Sequence, residues 1–531
     1  MSPRSSGLVA SAHPLASAAG VKAMKAGGNA VDAAVATSLV LGVVAPAFSG
    51  IGGGGFMMVR LKDEETLYID YRETAPRRAK ANMFELDADG SPKDFANSMG
   101  HRSVGVPGTI AGLSYALENY GRLKFADVAS QAISFARKGF EVSPYLAAIM
   151  SNNTDNTMQK FRRFPESGKE WLRDGRPYRK GETKLSPNFA KTLDAVVKGG
   201  LDAFYAGEVA RAIAGEMSRN GGVVDEEDLA DYSIRVRKPV KGTYRGFEVH
   251  AMPPPSMGGT AIIQLLNIFE DLDLGGMGLN SAETIATVAK ALAVVWPDLK
   301  RQVGDPAFVK ADTDRLVSKE YAAKLWFGRG ERGAGSDTAA KNWTTHLSIV
   351  DKDRNVAAVT ESLECYFGSG VVAPGTGFFL NDTMHDFDVG RGGPNAIGAG
   401  RRPVSNMTPT LLLKDGAPYL VAGSAGGPRI VTAILQTILN VIDHSLEIQK
   451  AVDAPRFHYQ GSGSLKVESR IKPTVRQQLH EMGFDLETPN YVQMKPGFDV
   501  YFGGVSAVLV GERGELSGGA DSRRQGSVAS Y

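Results

Sequence analysis
Apolar and polar positions divide the chain into short strand-like runs and longer helical patterns. Ala30 to Ala45 is alanine-rich and helical, with Asn29 placed to cap its first N–H groups. Asn188 to Lys198, Glu208 to Arg219 and Arg429 to Ile442 read as amphipathic or buried helices. Phe56 to Arg60, Phe247 to His250 and Tyr419 to Ala422 are strand-like. Pro253-Pro254-Pro255 stands between Phe247–His250 and a helical pattern over Thr260–Phe269, and reads as a rigid turn rather than a hinge. The most informative run is Thr344-Thr345-His346-Leu347-Ser348-Ile349-Val350-Asp351. Leu347–Val350 and Asn355–Thr360 are strand-like around the turn residues Asp351-Lys352-Asp353-Arg354-Asn355, which predicts an antiparallel hairpin. With the turn centred on Asp353, paired positions sum to about 706, so Ser362 faces Thr344. Strand parity puts Glu364 on that same face.

A threonine at the start of a strand is usually a β-former. It becomes a nucleophile if the chain is cut just before it, because its own α-amine then serves as general base. Two glycine-rich turns bear on this. Gly50-Ile51-Gly52-Gly53-Gly54-Gly55 satisfies the dinucleotide pattern, but it lies between a helix and a strand, the reverse of the order that pattern requires. It reads as a tight helix-to-strand turn. Gly423-Ser424-Ala425-Gly426-Gly427-Pro428 follows a strand and opens a helix. Backbone N–H groups there can stabilise an oxyanion, although a turn that merely needs glycine reads the same way.

Composition narrows the classes. At 531 residues the chain exceeds one typical core, yet no linker, repeat or clean domain boundary appears. The hydrophobic fraction of 43% indicates a globular protein, and 62 glycines fit many tight turns. A net charge of +2, with no basic run interleaved with aromatics, argues against nucleic acid as a partner. Arg162-Arg163 and Arg401-Arg402 read as solvated charges. The longest apolar stretch, Ala33 to Ala45, is too short to span a bilayer, so no membrane is expected. Met1 to Gly7 lacks a secretion core, so a cytoplasmic protein is expected, or a periplasmic or secreted one if a leader was trimmed. The single cysteine, Cys365, excludes an intrachain disulfide and reads as packing. Eight histidines show no metal-ligand spacing, and His346 reads as serving its strand.

Several motifs together resemble the γ-glutamyltransferase (γ-glutamyltranspeptidase) family of N-terminal-nucleophile hydrolases. They are Thr344-Thr345-His346, the Gly426-Gly427 turn and Tyr71-Arg72-Glu73-Thr74-Ala75-Pro76. Gly27–Ala34, Gly105–Thr109, Pro253–Gly259, Gly304–Pro306, Arg402–Ser405, Ala454–His458 and Asp521–Arg524 continue the likeness in order. The resemblance implies a four-layer αββα sandwich, an α+β fold of two antiparallel sheets with helices outside. It also implies a precursor cut into a large fragment, 1–343, and a small catalytic one, 344–531. Thr344 matches the nucleophile, Ser362 a hydroxyl beside it, and Gly426 and Gly427 the oxyanion hole. Arg72 and Ser405 match contacts to a substrate α-carboxylate, and Glu364 and Asp386 contacts to its α-ammonium. Thr383 stands where the family often has glutamine, and Asn406 where a second serine is common; both are carried as substrate-binding positions. Each has an ordinary alternative: Arg72 could pair with Glu73 on the surface, Asp386 could cap a turn, and Glu364 could be a strand-end charge.

The expected activity is hydrolysis or transfer of a γ-glutamyl group from glutathione, glutamine or another γ-glutamyl amide to water, an amino acid or a peptide. No metal or organic cofactor is implied, and the oligomeric state, homo-oligomer included, is left open. The alternatives are an amide acylase of altered specificity, glutaryl-cephalosporin or oxamate-type, and an uncleaved, non-catalytic binding homologue. Between Asp386 and Arg402 the chain is short and glycine-rich (Gly390 to Gly400), which predicts an open acceptor side unless Asn152 to Lys180 covers it.

Overall fold
The computed structural model describes residues 6–151, 156–328, 343–390 and 392–531. Its two main sheets are built from thirteen strands. In chain order these are β1 (Leu8–Ser11), β2 (Gly54–Arg60), β3 (Leu67–Asp70), β4 (Arg235–Arg237), β5 (Val240–Tyr244), β6 (Phe247–Ala251) and β7 (Trp343–Val350). Then follow β8 (Val356–Glu364), β9 (Thr410–Lys414), β10 (Ala417–Ala425), β11 (Gly504–Val510), β12 (Leu516–Ala520) and β13 (Ser527–Ser530). The first sheet runs β13-β1-β7-β8-β2-β3-β4 and the second β12-β11-β10-β9-β6-β5, antiparallel throughout.

The layers follow from a period of two. In the first sheet Val9, Met57, Val59, Ile69, Leu347, Ile349, Ala357 and Val359 join one apolar core, shared with the helices Pro14–Lys25, Ala30–Val44 and Phe125–Lys138. Their neighbours Leu8, Ala10, Phe56, Met58, Tyr68, Val350, Val356 and Ala358 join the other, shared with the second sheet. The helices Gly258–Phe269, Ala282–Gln302 and Arg429–Ile442 close that core from outside. The expected four-layer αββα sandwich is the one observed. Each sheet takes strands from both sides of residue 343, so a break there would cut the chain without dividing the fold.

Local expectations hold with three adjustments. Asn29 caps Ala30–Val44 through a reciprocal capping box with Asp32. The helix begun at Pro187 runs to Tyr205, with Gly200 at φ 61° breaking it just past the expected end. Gly423 to Ala425 is strand rather than turn, because β10 pairs with β11 as far as Ala425↔Gly504. Arg402 is no solvated charge: it is buried, lies 3.3 Å from the buried Asp70, and donates to the Ser233 carbonyl. Asp70, left inside at the end of β3, needs cations beside it, and Arg237 supplies a second at 2.7 Å. No helix among the described residues is long and apolar enough to cross a membrane.

Candidate active site
The β7–β8 hairpin has the expected register, with Thr344 opposite Ser362, His346 opposite Thr360 and Ser348 opposite Ala358. Both strands extend beyond their apolar runs, to Trp343 and Glu364, and every residue in them is buried. The turn is tied by Asp351, whose carboxylate accepts from the N–H groups of Asp353 and Asn355. Parity places Thr344, His346 and Ser348 on the face that meets the second sheet. There the His346 imidazole is held between Thr360 Oγ1 at 2.8 Å and Ser348 Oγ at 2.9 Å, and burial lowers its pKa to about 3. A Cβ on Gly423 of β10 would lie 2.1 Å from this ring, so glycine there sets how closely the two sheets approach beside Thr344.

The pairing slips by one residue between Trp343 and Thr344, a bulge at the proposed scissile bond. The Ser362 hydroxyl donates to the Trp343 carbonyl at 2.9 Å and accepts the Glu364 N–H at 2.8 Å. Glu364 itself takes a φ of 80°, which turns the chain out of the strand. Trp343 stacks on Tyr366 with ring centroids 4.3 Å apart.

Four charged side chains meet beside this hairpin. Arg72 is fully buried and donates to Glu73 at 3.1 Å, and also to Glu364 and Asp386. Burial opposes its charge, but Glu364, Glu73 and Asp386 outweigh that and its pKa is raised. Burial raises the pKa values of Glu364 and Glu73, with Arg72 opposing the rise. One cation therefore stands among three carboxylates, an arrangement suited to a ligand carrying both a carboxylate and an ammonium. The surface pairing considered for Arg72 and Glu73 is excluded, since both are wholly buried. Arg72 is aimed by its backbone: its N–H bonds Asp70 Oδ1 at 3.0 Å, and its carbonyl accepts from the Tyr232 hydroxyl at 2.9 Å.

The two glycine turns serve different ends. Gly426 and Gly427 end β10 at φ 124° and 58°, and their carbonyls accept the first N–H groups of the Arg429–Ile442 helix. The Gly50–Gly55 turn runs from helix to strand as expected. The Gly53 carbonyl accepts from Gly108 and Thr109, and a Cβ on Gly52 would meet the Phe379 carbonyl at 2.1 Å.

Sequence reasoning missed several supports. Asn381 accepts from the N–H groups of Gly105 and Thr383 and donates to the carbonyls of Gly52 and Gly105, which pins the loop carrying Asp386. Asn395 donates to the Asp386 carbonyl at 2.7 Å, and Asp382 accepts the Cys365 N–H at 3.0 Å. Polar residues in a loop after a strand were the only sign. Cys365 is buried, as a packing residue should be. Thr383 is fully buried with its hydroxyl lacking a protein partner, and its methyl group approaches Gly105. Ser405 and Asn406 lie on a separate segment against the Pro253–Ser256 turn, where Ser405 Oγ accepts the Met407 N–H. No hydrogen bond or ion pair joins either residue to Arg72 among the described residues. Among the described residues no group of three or more His, Cys, Asp or Glu is placed to hold a metal ion.

The Gly390–Gly400 connection, of which residue 391 lies outside the described residues, folds back on itself. Asp388 bridges Ala396, and Phe84, Met384, Phe387 and Ile397 form a small apolar cluster beneath it. Residues 152–155 of the alternative cover also lie outside the described residues. The rest of that segment braces the loop after Glu364, with Lys160 Nζ donating to the Tyr366 and Gly368 carbonyls.

The gamma-glutamyltranspeptidase family profile matches residues 16–531. The chain is 38% identical to a glutathione hydrolase proenzyme of Escherichia coli (strain K12), over 97% of this chain and 90% of that one. It is 41% identical to another of Pseudomonas sp. (strain A14), over 86% and 81%. Among solved structures, a cephalosporin acylase from Bacillus halodurans superposes with a TM-score of 0.85 at 28% identity, covering 99% of this chain and 96% of its own. Sequence and fold agree: the chain belongs to the gamma-glutamyltranspeptidase family and is an enzyme of γ-glutamyl hydrolysis and transfer.

Proposed function
We propose that the chain cuts itself between Trp343 and Thr344 and that the freed Thr344 is the nucleophile. The hydrogen bond from Ser362 to the Trp343 carbonyl carries this reading. It polarises the one carbonyl that the Thr344 hydroxyl must attack for its acyl group to pass from nitrogen to oxygen, before water hydrolyses the ester. The products are a large subunit, 1–343, and a small one, 344–531, sharing one sandwich.

In the matured enzyme the donor's α-carboxylate binds Arg72, and its α-ammonium binds Glu364 and Asp386. Thr344 Oγ attacks the γ-carbonyl carbon while its proton passes to the Thr344 α-amine. The N–H groups of Gly426 and Gly427 stabilise the oxyanion, the leaving amine takes the proton, and a γ-glutamyl ester remains. Water or an amino-acid or peptide amine resolves it. Ser405 is a second contact for the α-carboxylate, Thr383 stands at an α-ammonium position, and Asn406 is a further substrate contact. Glutathione and glutamine are representative donors. Three carboxylates beside Arg72 favour a γ-glutamyl donor over a glutaryl one, which has no ammonium to meet them.

Denaturing electrophoresis and N-terminal sequencing test the proposal. The expected result is two chains, the smaller beginning at Thr344, and a single inactive chain for Thr344→Ala. A small chain beginning elsewhere, or an active uncleaved protein, would refute it.

A further inference from the structure
Arg524, near the C-terminus, is a buried cation with an unusual set of partners. Its Nη1 donates to the Thr344 carbonyl at 2.6 Å, while Nε and Nη2 are buried without a hydrogen-bond partner. No carboxylate pairs with it among the described residues. The nearby Asp521 is held by Arg456 at 2.7 Å and Arg523 at 3.1 Å. Its guanidinium instead lies over the Phe48 and Trp343 rings, at 5.5 and 5.8 Å. A residue's carbonyl oxygen and its own nitrogen are only about 3 Å apart, so Nη1 of this guanidinium lies no more than about 6 Å from the Thr344 nitrogen.

Other titratable and charged groups pack around Trp343 and Phe48 or lie on the neighbouring strands. Arg429, a second buried guanidinium, lies 5.8 Å over Trp343 and 5.0 Å over Tyr501. Tyr145 and Tyr366 are the neighbouring phenols, both packed against Phe48. His346 is neutral, and Glu361 points to the opposite face, where Ser38 and Tyr71 bind it. Glu73, Glu364 and Asp386 oppose the two cations, but Arg72 is already among them.

We propose that Arg524 is a positioning residue for the N-terminal nucleophile: it fixes the Thr344 carbonyl, and its uncompensated charge keeps the freed α-amine unprotonated and able to act as base. This rests on Thr344 being the N-terminal residue of the small subunit. A like charge at this distance in a desolvated site disfavours protonation, and the mechanism needs the free base in the resting enzyme.

The test is a pH titration of the Thr344 amine by NMR in matured enzyme carrying ¹³C,¹⁵N-threonine, beside the pH profile of kcat/KM for γ-glutamyl-p-nitroanilide. The wild-type amine should titrate at least about one unit below the ordinary α-amine range of about 7.7–8.0. Arg524→Gln should raise it, and the acidic limb of the profile, by about one to two units, and Arg524→Lys should restore most of the shift. A wild-type amine titrating at or above the ordinary range overturns the proposal. So does an Arg524→Gln enzyme whose rate falls equally at every pH with the limb unmoved, the signature of a purely structural role. If that variant does not mature, the wild-type titration and Arg524→Lys still decide. Failure of the nucleophile assignment itself would appear separately, as a small subunit that does not begin at Thr344.

Discussion

Asp386→Asn tests the donor clamp most directly. The substitution keeps size and hydrogen-bonding capacity and removes one charge from a site where Arg72 faces Glu73, Glu364 and Asp386. Losing one partner of a desolvated charge pair costs about 2–5 kcal/mol. The Asp386 side chain is 10% exposed and two carboxylates remain, so the lower half of that range applies, about 2–3 kcal/mol. Since 1.4 kcal/mol is tenfold, kcat/KM for γ-glutamyl-p-nitroanilide should fall roughly 30- to 150-fold. Maturation should proceed, because Asp386 lies on a different element from the Trp343–Thr344 junction. Glutaryl-p-nitroanilide, which lacks the α-amino group, should lose little, so the preference between the two donors narrows. The assay is steady-state kinetics of both donors on matured wild-type and variant enzyme. Unchanged γ-glutamyl efficiency, or an equal fall for both donors, would refute the assignment of Asp386 to the ammonium.

Three further outcomes follow from the geometry. Burial pushes Glu361 up to about 7 from 4.5, against hydrogen bonds from Ser38 and Tyr71, so its contribution to stability is fully present below about pH 4.5 and is lost as pH rises through 7. The wild type should therefore lose on the order of 3 kcal/mol relative to Glu361→Gln between pH 5 and 8, read as diverging melting temperatures, and parallel curves would count against it. Gly423→Ala should drive a Cβ into His346, cost about 1–3 kcal/mol and lower activity through the displaced β7; a variant as stable and active as wild type would show that the sheets can part freely. The folded-back Gly390–Gly400 connection predicts that hydrolysis competes well with transfer and that γ-glutamyl peptides longer than glutathione are accepted; near-complete transfer to glycylglycine at modest concentration, with long donors rejected, would contradict an open site.

The sequence by itself determined the β7–β8 register. Alternation has a period of two and the Asp351–Asn355 turn is local, so pairing Thr344 with Ser362 needs no knowledge of the rest of the chain. Helices such as Ala30–Val44 were legible for the same reason, through their caps and apolar runs, whereas the αββα fold was legible only as a resemblance, as are the roles proposed for Arg72 and Asp386. Tertiary structure decided what depends on burial and on partners far away in sequence. Arg402 and Glu73 look like surface charges until β3 and the segment after it carry Asp70 and Arg72 into the interior, where a charge persists only beside its opposite. Asn381 ties together turns some 276 and 329 residues away, and Arg524 reaches Thr344 across 180. No local pattern encodes such contacts, because the energy that selects them, the cost of leaving a buried polar group unpaired, exists only once the sheets have closed over it.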